Sequence, residues 1–224
     1  FGTRRRYSYE VQKITVGALK EVGDDLFIGT SNVHLAMLHQ TRPIGTHAHE
    51  WFMFHAAKFG FKMANWMALE NWVNVYRGEL GIALSDTYTS RIFFDSFDKK
   101  FSKLFDGVRH DSGDPIAFAE ETIAHYESMG IDPLSKTIIF SDGLNYEKVK
   151  EITRHCKGKI GISFGIGTNF TNDVGVKPMN IVLKMTEALP EDGNWEAVVK
   201  LSDAEGKYTG DPKMIVLAKT VLEI

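Results

Sequence analysis

The feature that most constrains this chain is a repeated unit: a short apolar run ends in small or polar residues, and an amphipathic stretch follows. Leu26-Phe27-Ile28 ends at Gly29-Thr30-Ser31-Asn32, and Pro43-Ile44 at Gly45-Thr46-His47-Ala48-His49. Ile82-Ala83-Leu84 ends at Ser85-Asp86-Thr87, and Val108 leads into Arg109-His110-Asp111-Ser112-Gly113-Asp114. Thr137-Ile138-Ile139-Phe140 ends at Ser141-Asp142-Gly143, and Ile160-Gly161-Ile162 at Ser163-Phe164-Gly165-Ile166-Gly167-Thr168. Strands this short and apolar are buried on both faces, which requires parallel strands covered by helices. The intervening segments have helical period. Asp114 suits a cap with Pro115 at the first position, and Ile116, Ala119, Ile123 and Tyr126 then share a face. Further helices are expected over Arg4 to Leu19, with Phe1-Gly2 the stump of a preceding strand, and over about Asn145 to His155. A doubly wound open sheet shows the same alternation but gathers its site at one switch point. Here polar tips are spread over successive units, so the expected fold is α/β, a βα barrel.

Phe59 to Gly78 departs from the rhythm, adding an aromatic-rich helix (Trp66, Trp72, Tyr76) without a strand. It reads as an inserted excursion or a partner-facing surface. Late in the chain, Ile181–Met185 and Ala197–Leu201 are expected strands. Glu191-Asp192-Gly193-Asn194 is the turn between them, and a helix follows from about Pro212. No repeat or low-complexity linker divides the chain, so residues 1–224 are expected to form one barrel portion.

Composition excludes several classes. Lys plus Arg total 26 against 29 Asp plus Glu, a net charge of -3, so the chain is not built around a polyanion such as nucleic acid. The single cysteine, Cys156, permits no internal disulfide and suits a reducing compartment. No apolar run approaches the roughly 18 residues of a membrane span. A cytoplasmic protein without membrane attachment is expected. The opening at Phe1, without a methionine, reads as part of something longer.

Among the tips, Ser141-Asp142-Gly143 and Ser163 through Asn169 are rich in glycine and small hydroxyls, so backbone N–H groups at successive helix starts can cradle a phosphate. Gly165-x-Gly167 is no dinucleotide fingerprint, because Phe170 stands where a third glycine is needed, and no Gly-Lys-Ser/Thr follows for a nucleotide-triphosphate loop. Arg109 and Asp111 suit a ligand with both an anion and hydroxyls, while Asp114 is a plain helix cap. His47-Ala48-His49 has metal-ligand spacing, with Asp86 and His110 as available further ligands. One reactive histidine near phosphate loops, acting as base or nucleophile, is the other reading. Of Arg4-Arg5-Arg6 only Arg4, nearest the tip, is a candidate anion contact; the histidines at 34, 39, 55, 125 and 155 sit in helical stretches with no chemistry assigned.

Taken together, Phe1-Gly2-Thr3-Arg4-Arg5, Gly29-Thr30-Ser31-Asn32, Gly45-Thr46-His47-Ala48-His49-Glu50, Arg109 through Pro115, Ser141-Asp142-Gly143, Ser163 through Thr168 and Val199-Lys200-Leu201-Ser202-Asp203 resemble, in order, the nicotinate phosphoribosyltransferase family. The resemblance covers essentially the whole chain. It implies the decapping (type II) phosphoribosyltransferase fold, an irregular βα barrel joined in the family to an upstream α/β domain, so residues 1–224 are expected to be a portion truncated at its N-terminus. It also implies the conversion of nicotinate and phosphoribosyl pyrophosphate to nicotinate mononucleotide and pyrophosphate, with ATP hydrolysis assisting, Mg²⁺ bridging the leaving group, and a homodimer.

Carried over by position, His49 is the implied phosphohistidine and Asp111 the ribose-binding carboxylate. Arg4, Ser31, Thr46 and Arg109 fall among substrate contacts, with a neutral Ser31 suiting a carboxylate substrate better than an amide. Asp142, Gly143, Gly165, Gly167 and Thr168 correspond to the 5′-phosphate loops, and no protein metal ligand is assigned. Because the family completes its site from the missing domain and a second subunit, these 224 residues alone are expected to be inactive. The alternatives are a nicotinamide or quinolinate phosphoribosyltransferase, a metal-dependent barrel hydrolase using His47 and His49, and a non-catalytic module binding a phosphate ligand.

Overall fold

The computed structural model describes residues 3–191 and 193–224, so the Phe1-Gly2 strand stump and Asp192 of the expected turn lie outside the described residues. In chain order the elements are α1 (Tyr9–Val22), α2 (Val33–Leu38), α3 (His49–Phe59), α4 (Phe61–Tyr76), β1 (Ile82–Leu84), α5 (Ser90–Ser96), α6 (Lys99–Leu104) and β2 (Gly107–His110). There follow α7 (Pro115–Ser128), β3 (Thr137–Phe140), α8 (Tyr146–Cys156), β4 (Gly161–Phe164), α9 (Thr168–Thr171), β5 (Glu187–Ala188), β6 (Glu196–Ala197) and α10 (Pro212–Leu222). The chain divides into two compact units. One comprises Phe1–Gly45, Ser141–Glu151 and Phe164–Leu183; the other comprises Thr46–Phe140, Ile152–Ser163 and Lys184–Ile224.

The larger unit is organised by a four-stranded sheet of order β1-β2-β3-β4. β1 pairs with β2 and β2 with β3 in parallel, with Leu84 opposite Arg109 and His110 opposite Phe140. Strand order that follows chain order has no reversal and therefore no switch point, which is the barrel arrangement rather than the doubly wound one. Val108, Ile138 and Phe140 are fully buried, as strands covered on both faces require. A Cβ on Gly107 would lie 1.8 Å from the Thr137 carbonyl oxygen, so only glycine lets β2 and β3 close at that point.

Helices pack around this sheet for legible reasons. Asp114 accepts from the Ala117 N–H at 2.7 Å with Pro115 at the first position, so α7 begins where the sequence places it. Gly60, at φ +77, separates α3 from α4, and the Trp51 indole donates to the Ala68 carbonyl across that hairpin at 3.0 Å. The aromatic-rich stretch expected over 59–78 is thus α4. Phe93, Phe97, Phe101 and Phe105 are fully or nearly fully buried, with Phe93 and Phe97 stacked at 4.8 Å. The expected late strands shrink to an antiparallel pair, Glu187 opposite Ala197, which seats Ala188 and Val198 on Met53 of α3. Ile181, Val182 and Leu183 form no strand and face solvent, while Lys200 makes a single bridge to Thr209.

In the smaller unit, α1 starts at Tyr9 rather than Arg4, because the Ser8 hydroxyl caps it by accepting from Val11 N–H at 3.1 Å. Arg4 to Arg6 therefore precede the helix. The strands expected at 26–28 and 43–44 reduce to one bridge, Thr30 with Pro43, since Asp24–Leu26 winds into a 3-10 turn that leaves Leu26 in solvent. α9 is tied to the start of α1: Tyr7 N–H donates to Thr171 O at 2.9 Å and the Asn172 amide to Arg5 O at 3.1 Å. No helix among the described residues is long and apolar enough to cross a membrane.

Candidate active site

Because β1 and β2 run parallel with Leu84 opposite Arg109, the residues that follow each strand emerge side by side. This sets Ser85-Asp86-Thr87 next to His110-Asp111-Ser112. The first residue of α3, His49, enters between them and is only 6% exposed. Its Nδ1 lies 3.0 Å from the Thr87 hydroxyl. Its Nε2 lies 3.1 Å from Asp111 Oδ2 and 3.7 Å from Asp86 Oδ1. A carboxylate only accepts hydrogen bonds, so Asp111 Oδ2 fixes the ring proton on Nε2, with the charge of Asp86 beside it. When His49 is neutral, the lone pair is then on Nδ1, facing Thr87.

Arg109 forms the second side of the cluster. Its Nη2 lies 3.1 Å from the same Asp111 Oδ2, and its Nη1 donates to the Thr46 hydroxyl and, at 3.0 Å, to the His47 carbonyl. Nε of Arg109 is buried without an acceptor among the described residues. The guanidinium thus ties the Thr46–His47 backbone to the β2 tip and supplies the countercharge to Asp111. Thr46, Arg109, Asp111 and His49, scattered in the sequence, are brought together as expected.

His47 goes elsewhere. Its ring packs 4.1 Å from Trp72 and 5.5 Å from Phe52, and its Nδ1 accepts from Leu84 N–H at 3.4 Å. Burial, and secondarily the Arg109 guanidinium, lowers its pKa to about 3, so it is neutral under any ordinary condition. The two histidines cannot form the metal pair that their spacing suggested: position 47 points into the aromatic packing while position 49 starts the helix toward the strand tips. His110 likewise packs against Phe118 and Phe140 at 5.2 and 5.6 Å. Among the described residues, the groups that could share a cation are His49, Asp86 and Asp111, whose ligand atoms lie within 4.8 Å of one another. Mg²⁺ takes oxygen donors and substrate phosphates, so the two carboxylates fit it and the imidazole does not.

The sequence offers Asp86 only as a further metal ligand, yet it is fully buried beside His49. Its Oδ2 accepts from Ser112 Oγ at 2.6 Å and faces Lys200 Nζ at 3.4 Å. Lys200 and Thr87 were missed as site residues. The available signals were Asp86-Thr87 on a strand tip and a lysine within a late apolar run.

In the smaller unit, Gly143 adopts φ +55 and Gly167 caps α9, which is only four residues long. The Asn169 amide donates to the Leu144 carbonyl, so the two glycine-rich loops meet. Beside them lies a cavity of about 480 Å³ lined by Asn145, Tyr146, Val149, Ile166, Asn169, Phe170 and Asp173. Arg4 and Ser31 are exposed in the same unit, and Asn32 rather than Ser31 caps α2. Asp142, Gly165 and Thr168 also belong to this unit, whereas the His49 cluster belongs to the larger one.

Comparison with known proteins places the sequence and the fold in a family. The model of the nicotinate phosphoribosyltransferase (NAPRTase) family matches residues 1–224. A nicotinate phosphoribosyltransferase of Chromohalobacter salexigens is 69% identical over 224 residues, covering 100% of this chain and 57% of that protein. One from Desulforapulum autotrophicum is 49% identical, covering 100% and 58%. The crystal structure of nicotinate phosphoribosyltransferase from Porphyromonas gingivalis superposes with a TM-score of 0.97 at 50% identity, covering 100% of this chain and 58% of that one. The structure from Vibrio cholerae gives 0.92 at 38% identity, with 100% and 54% covered. The fold is therefore the type II phosphoribosyltransferase fold expected from the sequence. The chain spans just over half the length of these relatives. The chain belongs to the nicotinate phosphoribosyltransferase family.

Proposed function

We propose that this chain carries the phosphohistidine centre and phosphate loops of an ATP-assisted nicotinate phosphoribosyltransferase, acting in NAD biosynthesis in the cytoplasm as a homodimer. Overall, nicotinate, phosphoribosyl pyrophosphate, ATP and water give nicotinate mononucleotide, pyrophosphate, ADP and phosphate. The observation that carries the reading is the orientation of His49, with Nε2–H toward Asp111 Oδ2 at 3.1 Å and Nδ1 turned away from both carboxylates. Neutral His49 attacks the γ-phosphorus of ATP through Nδ1. The N–P bond forms as the P–O bond to ADP breaks, and the ring, now carrying a positive charge, is balanced by Asp111. Water later releases phosphate and restores the imidazole.

In the transfer step, pyrophosphate leaves ribose C1 and an oxocarbenium-like centre develops, comparable to that of glycoside transfer. Pyridine nitrogen is already a nucleophile, so the protein's task is alignment and charge balance rather than base catalysis. Arg109 and Thr46 are the proposed contacts for the pyridine ligand, Asp111 for the ribose, with Arg4 and Ser31 as further substrate contacts. Gly143, Gly165, Gly167 and Thr168, with Asp142, are the proposed 5′-phosphate loops. Mg²⁺, bound chiefly through substrate phosphates with Asp111 as the carboxylate beside them, would neutralise the leaving pyrophosphate. The names of the relatives favour nicotinate over nicotinamide or quinolinate as acceptor.

The test uses the full-length protein and His49→Ala, following nicotinate mononucleotide with and without ATP. ATP-stimulated product that loses its stimulation in the variant supports both the reaction and the role of His49. ATP-independent turnover indifferent to the substitution keeps the transferase and removes the phosphohistidine. Residues 1–224 alone are expected to show no turnover; full activity of this segment would refute the view that the site is shared with the remaining chain.

A further inference from the structure

Four consecutive residues, Lys200 to Asp203, bond to the two strand tips that carry the partners of His49 or to Ser90 at the start of α5. Lys200 Nζ faces Asp86 Oδ2 at 3.4 Å, and Leu201 N–H donates to the Thr87 carbonyl at 2.8 Å. Ser202 Oγ donates to Ser112 Oγ at 2.9 Å, and Ser112 in turn donates to Asp86 Oδ2 at 2.6 Å. Asp203 receives both the backbone N–H and the hydroxyl of Ser90, at 2.7 and 2.6 Å. The strap is itself anchored by paired 2.9 Å backbone bonds between Lys200 and Thr209.

The consequence falls on Asp86. This carboxyl group is fully buried, and Lys200 and Ser112 both engage the same oxygen, Oδ2. The other oxygen, Oδ1, is buried with no hydrogen-bond partner among the described residues and is directed at His49 Nε2, 3.7 Å away. A buried carboxylate needs a countercharge, and an oxygen left without a donor is retained where a function uses it. Lys200 is itself only 8% exposed, so it acts from behind the site.

We propose that Lys200 is a positioning residue. By taking Oδ2 of Asp86 it turns Oδ1 toward His49, and with Asp111 it fixes the ring so that Nδ1 is presented for reaction. This inference rests on the phosphohistidine reading for its kinetic consequence, but the ring geometry it describes does not.

The experiment uses the full-length protein with Lys200→Met, Lys200→Arg, Asp86→Asn and the Met–Asn double variant. Acid-labile ³²P incorporation from ATP, steady-state kinetics and the His49 Nε2–H proton resonance are read together. Lys200→Met is expected to lower kcat and phosphohistidine formation by about 10- to 100-fold with KM values little changed, as loss of an outer support does. Lys200→Arg restores most of the activity, and the double variant is no worse than Lys200→Met, because the lysine works through Asp86. The Nε2–H resonance is displaced in Lys200→Met and Asp86→Asn but not in Lys200→Arg.

A raised KM for a phosphate-bearing substrate at unchanged kcat would make Lys200 a substrate contact and overturn the proposal. So would additive losses, or a Lys200→Arg protein as impaired as Lys200→Met. If Lys200→Met does not fold, Asp86→Asn and Lys200→Arg decide by the same readings. If the wild-type protein makes no nicotinate mononucleotide and takes up no phosphate, the functional reading has failed. The resonance then judges Lys200 by itself, and an undisplaced signal in Asp86→Asn ends the proposal.

Discussion

His49 and Asp111, 62 residues apart in sequence, meet with Nε2 and Oδ2 3.1 Å apart, and the same oxygen lies 3.1 Å from Arg109 Nη2. One carboxylate oxygen thus fixes a histidine tautomer and is itself charge-balanced by an arginine two residues before it on β2.

Asp111→Asn leaves the shape intact but replaces an acceptor-only group by an amide that can present an N–H. The expected result is a loss of about 100-fold or more in phosphohistidine formation, the usual weight of a positioned proton partner. Acid-labile phosphate incorporation measures it, and incorporation at the wild-type rate would remove Asp111 from the mechanism.

His47 links stability to pH. The unfolded residue takes up a proton near pH 6.5, whereas the folded one, with a pKa lowered to about 3, does not. Its stabilising contribution is complete above pH 6.5 and is lost as pH falls toward 3, with a slope of about 1.4 kcal/mol per pH unit. Denaturant melts at pH 7 and pH 5 compare the wild type with His47→Phe. The variant is expected to lose less stability on acidification; parallel losses would contradict the assignment.

Thr89, between Tyr88 and the start of α5, sits at φ +72 and ψ 149, a conformation natural only to glycine. Its hydroxyl is also buried without a partner among the described residues. Thr89→Gly is therefore expected to stabilise the protein by about 1 kcal/mol, seen as a rise in Tm. A fall in Tm would show that the side chain contributes more packing than the strain costs.

Asp114 lies in the same polar cluster as Asp111 but caps α7 through Ala117. Asp114→Ala should cost about 1 kcal/mol of stability and leave kcat and KM as they were. A kinetic effect without a stability effect would reverse that division of roles.

Much of this was legible in the sequence. β1 to β4 and the Arg109–Asp111 tip follow from apolar runs ending in polar tips, the start of α7 from its Asp114-Pro115 cap, and α4 from the aromatic-rich stretch that breaks the rhythm. Such runs are local signals, because burial on both faces demands uninterrupted apolar side chains and a cap needs only its own turn. The family resemblance added roles to those residues, which periodicity alone does not assign.

What the tertiary structure alone decided is which way side chains point and which distant backbones meet. Spacing made His47 and His49 equivalent, but packing against Trp72 took one and the strand tips took the other. Lys200 stands out in the sequence only as a lysine in a late apolar run, and its role appears only when the late strap reaches a carboxylate 114 residues away. The strands expected at 26–28 and 181–185 failed for a related reason: a strand exists only with a partner to pair its backbone, and apolar sequence cannot supply one.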